Sequence, residues 1–166
     1  LSGETAVGAH PGAAVGTMRR IIQRAETALP YEAWLEQRRR WIDTGTVEAV
    51  CFAACELARQ VEASAIVAPT ESGFTARQMS RFRPRQPILA PTPELRVQRR
   101  LSLFWGVHPC LAGVRGSVDE MFTLSEELAQ KAGFLGPGKT VVITAGVKAP
   151  GEKGVPTTNT IHCVTG

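Results

Sequence analysis

Residues 66–90 read IVAPTESGFTARQMSRFRPRQPILA. The stretch opens on one short apolar run, Ile66-Val67-Ala68, and closes on another, Ile88-Leu89-Ala90. Runs this short, bounded by Pro69, Pro87 and Pro91, read as buried strands. Between them Thr70-Glu71-Ser72-Gly73 leads into residues 74–82, which carry helical spacing. Strand, loop, helix and strand in this order point to a parallel pair joined by a helical crossover.

The same alternation continues outward. Residues 107–111 and 141–144 are further apolar runs, and residues 94–104 and 118–132 read as helices. Gly133 suits a helix C-terminus, and Gly136-Pro137-Gly138 a turn. Residues 145–158 form a long loop rich in glycine and proline, without room for a crossover helix. The last run, 160–164, is therefore expected to lie antiparallel to its predecessor, at or near a sheet edge. The expected class is α/β: a three-layer domain with a mostly parallel five-stranded sheet, its last strand antiparallel, preceded by helices.

The preceding residues are helical in pattern. Pro11 suits the first position of a helix, and Ala14, Val15, Met18, Ile21, Ile22 and Ala25 recur along it at helical spacing. Pro30 ends that segment. Residues 31–42 read as a second helix, with Trp34, Leu35 and Trp41 apolar among charges. Thr46 is the expected N-cap of a third, whose buried stripe would be Val47, Val50, Cys51, Ala54, Leu57, Ala58 and Val61.

Of the 166 residues 43% are hydrophobic, enough to fill a core. No apolar run reaches the length of about 18 residues that suggests a membrane span, and the first residues do not read as a signal peptide. No membrane partner is expected. The net charge is +4, but it comes from arginines scattered over several helices, and the run Arg38-Arg39-Arg40 is short. It reads as a solvated helical face, not a nucleic-acid surface. Cys51 and Cys55 stand one helical turn apart without histidines or acids to complete a metal shell, so they read as buried free thiols. No metal site is expected, and a cytoplasmic location fits this cysteine usage.

Thr70-Glu71-Ser72-Gly73-Phe74-Thr75 is the segment best suited to bind something. A helix start presents unpaired N–H groups and favours an anion. Thr70, Ser72 and Thr75 add hydroxyls, and Gly73 allows close approach to the backbone. A helix start capped by its own hydroxyls has the same pattern, so the residues alone leave both readings open. Residues 146–156, with Lys148 and Lys153, could fold over a ligand on that helix start or form an ordinary surface loop. His10, His108 and His162 lack metal spacing and read as packed or surface residues. Ser2 and Glu4 stand close enough in sequence for a proton relay.

Several stretches together resemble one family. They are residues 1–28, opening LSGETA, residues 47–58 and 66–90, GVHPCL at 106–111, and residues 139–164 with TVVITAGV and TTNTIHCV. In order and spacing they resemble pyruvate kinase. The resemblance places residues 1–29 at the end of the catalytic (β/α)8 barrel, as its last strand end and helix. It places residues 30–166 in the C-terminal regulatory domain. It implies transfer of a phosphoryl group from phosphoenolpyruvate to ADP in glycolysis, with Mg²⁺ and K⁺ serving the full-length enzyme and no cofactor in this chain. Ser2, Glu4 and Thr5 would be a remnant of a loop bordering the barrel's site. The other catalytic groups would lie upstream of Leu1, leaving this chain inactive alone.

The resemblance also implies an effector site at Thr70, Ser72, Gly73 and Thr75, with residues 151–157 as its lid, Gly151, Lys153 and Gly154 among them. Glu71 stands where bisphosphate-activated animal forms carry a basic residue, and Met121 stands where they place an arginine. A sugar monophosphate or nucleotide monophosphate is therefore expected over fructose 1,6-bisphosphate. The family is usually a homotetramer, so the last strand and the helices of residues 31–61 are expected pairing surfaces. The alternative is a free-standing module that binds a phosphorylated metabolite without catalysis. The opening Leu1-Ser2-Gly3-Glu4-Thr5 favours part of an enzyme over such a module.

Overall fold

The computed structural model describes residues 1–42, 45–113, 117–147 and 158–166. The chain divides into two compact units, Leu1–Tyr31 and Glu32–Gly166.

In the first unit, α1 (Gly3–Ala6) is a single helical turn and α2 (Pro11–Glu26) a helix with proline in its first turn. Gly3–Ala6 thus form a helical turn within the stretch where the end of a barrel strand is expected. Neither helix buries a residue, and Val15, Ile21 and Ile22 of the apolar stripe are exposed.

The second unit begins with α3 (Tyr31–Arg38), whose first residue closes the first unit, followed by a 3-10 turn at Arg39–Trp41. The helix expected over residues 31–42 therefore tightens in its last turn. Next comes α4 (Thr46–Gln60), with Cys51, Ala54, Cys55 and Ala58 buried. Its N-cap is Gly45, not Thr46, and no side chain caps it. Val61, expected in the buried stripe, is the C-cap residue and is exposed, because the chain leaves the helix there.

The sheet comprises β1 (Ala65–Val67), β2 (Ile88–Thr92), β3 (Val107–Leu111), β4 (Thr140–Val147) and β5 (Thr158–Thr165). Their order is β3-β2-β1-β4-β5. The first four are parallel, and β5 runs antiparallel to β4 at the edge. The connecting helices are α5 (Phe74–Arg81), α6 (Leu95–Leu101) and α7 (Val118–Lys131).

Alternate residues of the strands face opposite layers. Ile66, Ala68, Ile88, Ala90, Val107 and Val142 pack with residues of α4, α5 and α6 on one face. Ala65, Val67, Leu89, Val141 and Ile143 pack with Ala129 and Phe122 of α7 on the other. The central strand β1 is buried throughout, as a parallel strand covered on both faces must be. The expected three-layer α/β fold is thus observed.

Pro91 lies inside β2 instead of ending it. The carbonyls of Pro87, Leu89 and Pro91 point toward β1 and accept the N–H groups of Ile66, Ala68 and Thr70. The N–H that Pro91 lacks would face the same side, beyond the last residue of β1, so the proline costs the strand little.

Candidate functional site

The strand order sets the geometry. The chain moves outward from β1 to β2 to β3, then crosses back to the other side of β1 to form β4. Consistently, α5 and α6 lie on one face and α7 on the other. The reversal falls between β1 and β4, and the carboxyl ends of strands at such a point border the crevice where open α/β sheets bind ligands. The segment from Ala68 to Gly73 leaves β1 there and starts α5.

That segment is tightly held. Thr70 is buried; its N–H donates to Pro91 O at 2.9 Å, and its hydroxyl accepts the N–H of Gly73 at 2.9 Å. The Ser72 hydroxyl accepts the N–H of Phe74 at 3.3 Å. From α6, Arg100 donates to Ser72 O at 2.6 Å. Gly73 is the N-cap of α5, with φ +81°, and a Cβ there would stand 3.1 Å from Val97 Cγ1 and 3.2 Å from Leu101 Cδ2. The glycine therefore answers first to its left-handed backbone and to the approach of α6.

The hydroxyls of Thr70 and Ser72 thus act within the loop. A hydroxyl that accepts one N–H still has its own O–H to donate. Capping and anion binding are therefore compatible at Ser72, which is exposed. The first-turn amides of Thr75 and Ala76 add donors that no side-chain cap occupies. Thr75 is half-buried, and its carbonyl accepts the Cys51 thiol at 3.8 Å, tying the start of α5 to α4.

One further polar group stands at this end of the sheet. Thr144, near the end of β4, is buried, and its hydroxyl has no hydrogen-bond partner among the described residues. Glu71 is exposed on the loop. Met121 is half-buried on α7. Gly151, Lys153 and Gly154, expected as the lid, lie outside the described residues together with Lys148.

In the first unit, Ser2, Glu4 and Thr5 cluster locally. The Ser2 N–H donates to Glu4 Oε2 at 3.2 Å, and the Thr5 hydroxyl to Ser2 O at 3.2 Å. Glu4's own N–H and that of Ser2 hold its carboxyl below the usual carboxylate range. The link between Ser2 and Glu4 thus runs through a backbone amide, not the hydroxyl that a proton relay would need.

The other polar candidates pack. His108 meets Phe134 edge to face, with centroids 6.3 Å apart, and His162 stacks on Phe122 at 4.6 Å. Cys51 and Cys55 are buried free thiols, whereas Cys163 is exposed. Among the described residues no three His, Cys, Asp or Glu side chains are placed to hold a metal ion. Nor, among the described residues, is any helix long and apolar enough to cross a membrane.

Residues 48–164 match the family model described as pyruvate kinase, alpha/beta domain. The chain belongs to the pyruvate kinase family. It is 41% identical over 147 residues to the pyruvate kinase of Clostridium acetobutylicum, covering 89% of this chain and 31% of that protein. It is 40% identical over 164 residues to that of Sporosarcina psychrophila, covering 99% of this chain and 28% of that protein. The chain thus spans about three-tenths of the length of these relatives. Among solved structures, a pyruvate kinase from Cryptosporidium parvum superposes with a TM-score of 0.85 at 30% identity, over 99% of this chain and 32% of that one.

Arg100, Val97 and Leu101 were not legible as parts of the pyruvate kinase loop from sequence. They lie far along the chain from Ser72 and Gly73, and no local pattern announces a contact between them.

Proposed function

We propose that this chain is the effector-binding and subunit-pairing part of a pyruvate kinase, whose whole protein transfers a phosphoryl group from phosphoenolpyruvate to ADP. The effector is a sugar monophosphate or a nucleotide monophosphate, held by the start of α5. One observation carries this reading: the Thr70–Thr75 segment stands where the strand order reverses, with N–H and O–H donors at a helix N-terminus. Glu71 places negative charge on the same loop, which disfavours a second phosphate.

The open edge of β5 is the surface proposed for pairing with a second copy, since among the described strands it meets only β4. Mg²⁺ and K⁺ belong, in this proposal, to the catalytic part of the relatives that the chain does not span. The chain alone is accordingly proposed to have no phosphotransferase activity. Metal-dependent turnover by the pure chain in a coupled pyruvate assay would overturn that.

The effector reading is tested by thermal unfolding with fructose 1,6-bisphosphate, glucose 6-phosphate, ribose 5-phosphate, AMP and inorganic phosphate. A ligand at about a hundred times its Kd stabilises by roughly 2.7 kcal/mol. In a domain of this size that raises Tm by roughly 5–10 °C. The proposal expects this shift with a monophosphate ester; no shift with any of the five compounds contradicts it.

A further inference from the structure

A second cleft, of about 420 Å³, lies toward the amino-terminal ends of β2 and β3, between the second half of α5 and the turn that leads from α6 to β3. Its volume falls in the range of small-molecule sites. Arg77, Arg81 and Arg83 line it together with Leu103, Phe104 and Trp105. The Ser80 hydroxyl donates to Trp105 O at 2.8 Å and fixes the two walls to each other.

The three arginines are not equivalent. Arg81 is paired with Glu48 at 2.9 Å and bonded to Gln78 at 2.7 Å. Arg77 and Arg83 make no hydrogen bond or ion pair among the described residues. Arg83 has φ +53°, a backbone region that non-glycine residues seldom adopt. Its guanidinium lies 4.4 Å from the centre of the Trp105 ring. Stacking of this kind fixes the plane of the guanidinium and leaves its N–H edge available. Burial, and then the charge of Arg83, lower the pKa of Arg38 nearby.

We propose that this cleft is a second anion site, which takes a small organic phosphate with a flat apolar body. Arg77 and Arg83 present two uncompensated positive charges, matching the dianion of a phosphate monoester better than a single carboxylate. Guanidinium forks also suit phosphate oxygens geometrically. Leu103 and Phe104 supply the apolar wall for the ring. This site is separate from the start of α5 and does not depend on the effector reading.

The test is an amide NMR titration of the full 166-residue chain with phenyl phosphate, resolving the Trp105 indole N–H. Saturable shifts are expected at Trp105 and at residues 78–83 and 103–106. Arg83→Gly removes the guanidinium at a position whose backbone glycine adopts freely, so the fold should be retained. It is expected to weaken binding about tenfold or more, the loss expected when a charged hydrogen bond is removed. Arg77→Gln should weaken it in the same direction. Inorganic phosphate, lacking the ring, should bind more weakly than phenyl phosphate. Shifts confined to residues 70–76, no shifts at Trp105, unchanged affinity in both variants, or equal affinity for inorganic phosphate would overturn the proposal.

Discussion

The hydroxyl of Thr70 accepts the backbone N–H of Gly73 at 2.9 Å, inside the loop that joins β1 to α5. Thr70 is buried, so water cannot readily replace the bond. Thr70→Val would leave the Gly73 amide without a partner, which costs about 1–3 kcal/mol. A urea or thermal melt should show that loss, and Thr70→Ser should recover most of it. Equal stability of the valine variant and the parent would show that the bond does not hold the loop.

Gly73→Ala meets two obstacles. The backbone is left-handed, and the new methyl would stand 3.1 Å from Val97 Cγ1. Each is unfavourable, and together they should cost more than about 1 kcal/mol in chemical denaturation. The variant should also bind a monophosphate more weakly, because α6 must shift away from the helix start. A neutral substitution would contradict the packing of α6 against the loop.

The buried thiols make stability depend on pH. Burial, and then the charge of Glu48, push Cys51 from its ordinary 9.0 up to about 12. Burial also raises Cys55, with Cys51 adding to the effect. The unfolded chain gives up these protons near the ordinary value, whereas the folded chain keeps them. Stability is therefore full below about pH 9 and falls as pH rises above it, by about 1.4 kcal/mol per pH unit for each thiol. Cys51→Ala should flatten that slope. At pH 8 a thiol reagent should modify the exposed Cys163 rapidly, and Cys51 and Cys55 only after unfolding.

Glu71→Lys reverses the charge on the effector loop. If Glu71 is what disfavours fructose 1,6-bisphosphate, the variant should bind it at least about tenfold more tightly, as expected for exchanging a repulsion for a charge-assisted contact. Calorimetric titration of the variant and the parent reads this directly. Unchanged bisphosphate affinity would remove Glu71 from the account of specificity.

The parts of the fold that sequence revealed are those set by local chemistry. Short apolar runs between prolines and helical spacing located the strands and helices. Gly133, at φ +77°, does follow α7. Gly136-Pro137-Gly138 does form the turn, with the Lys139 N–H on Gly136 O at 2.9 Å. The departures have non-local causes. Pro91 stays inside β2 because β1 ends before it would need a donor. Gly45 takes the capping position expected of Thr46. The type of residue at Gly73 suits access for a ligand, but Val97 and Leu101 of α6 occupy the space beside it. No local pattern marks the Arg77–Arg83 cleft, since only the fold brings Trp105 to that end of α5.

The most direct test of the effector site is hydrogen exchange of the chain with and without ribose 5-phosphate, read residue by residue. The account predicts slowed exchange at Phe74, Thr75, Ala76 and Arg77, with residues 102–106 unchanged. Exchange that is unaffected at the start of α5 under saturating ligand, or slowed only elsewhere, would contradict it.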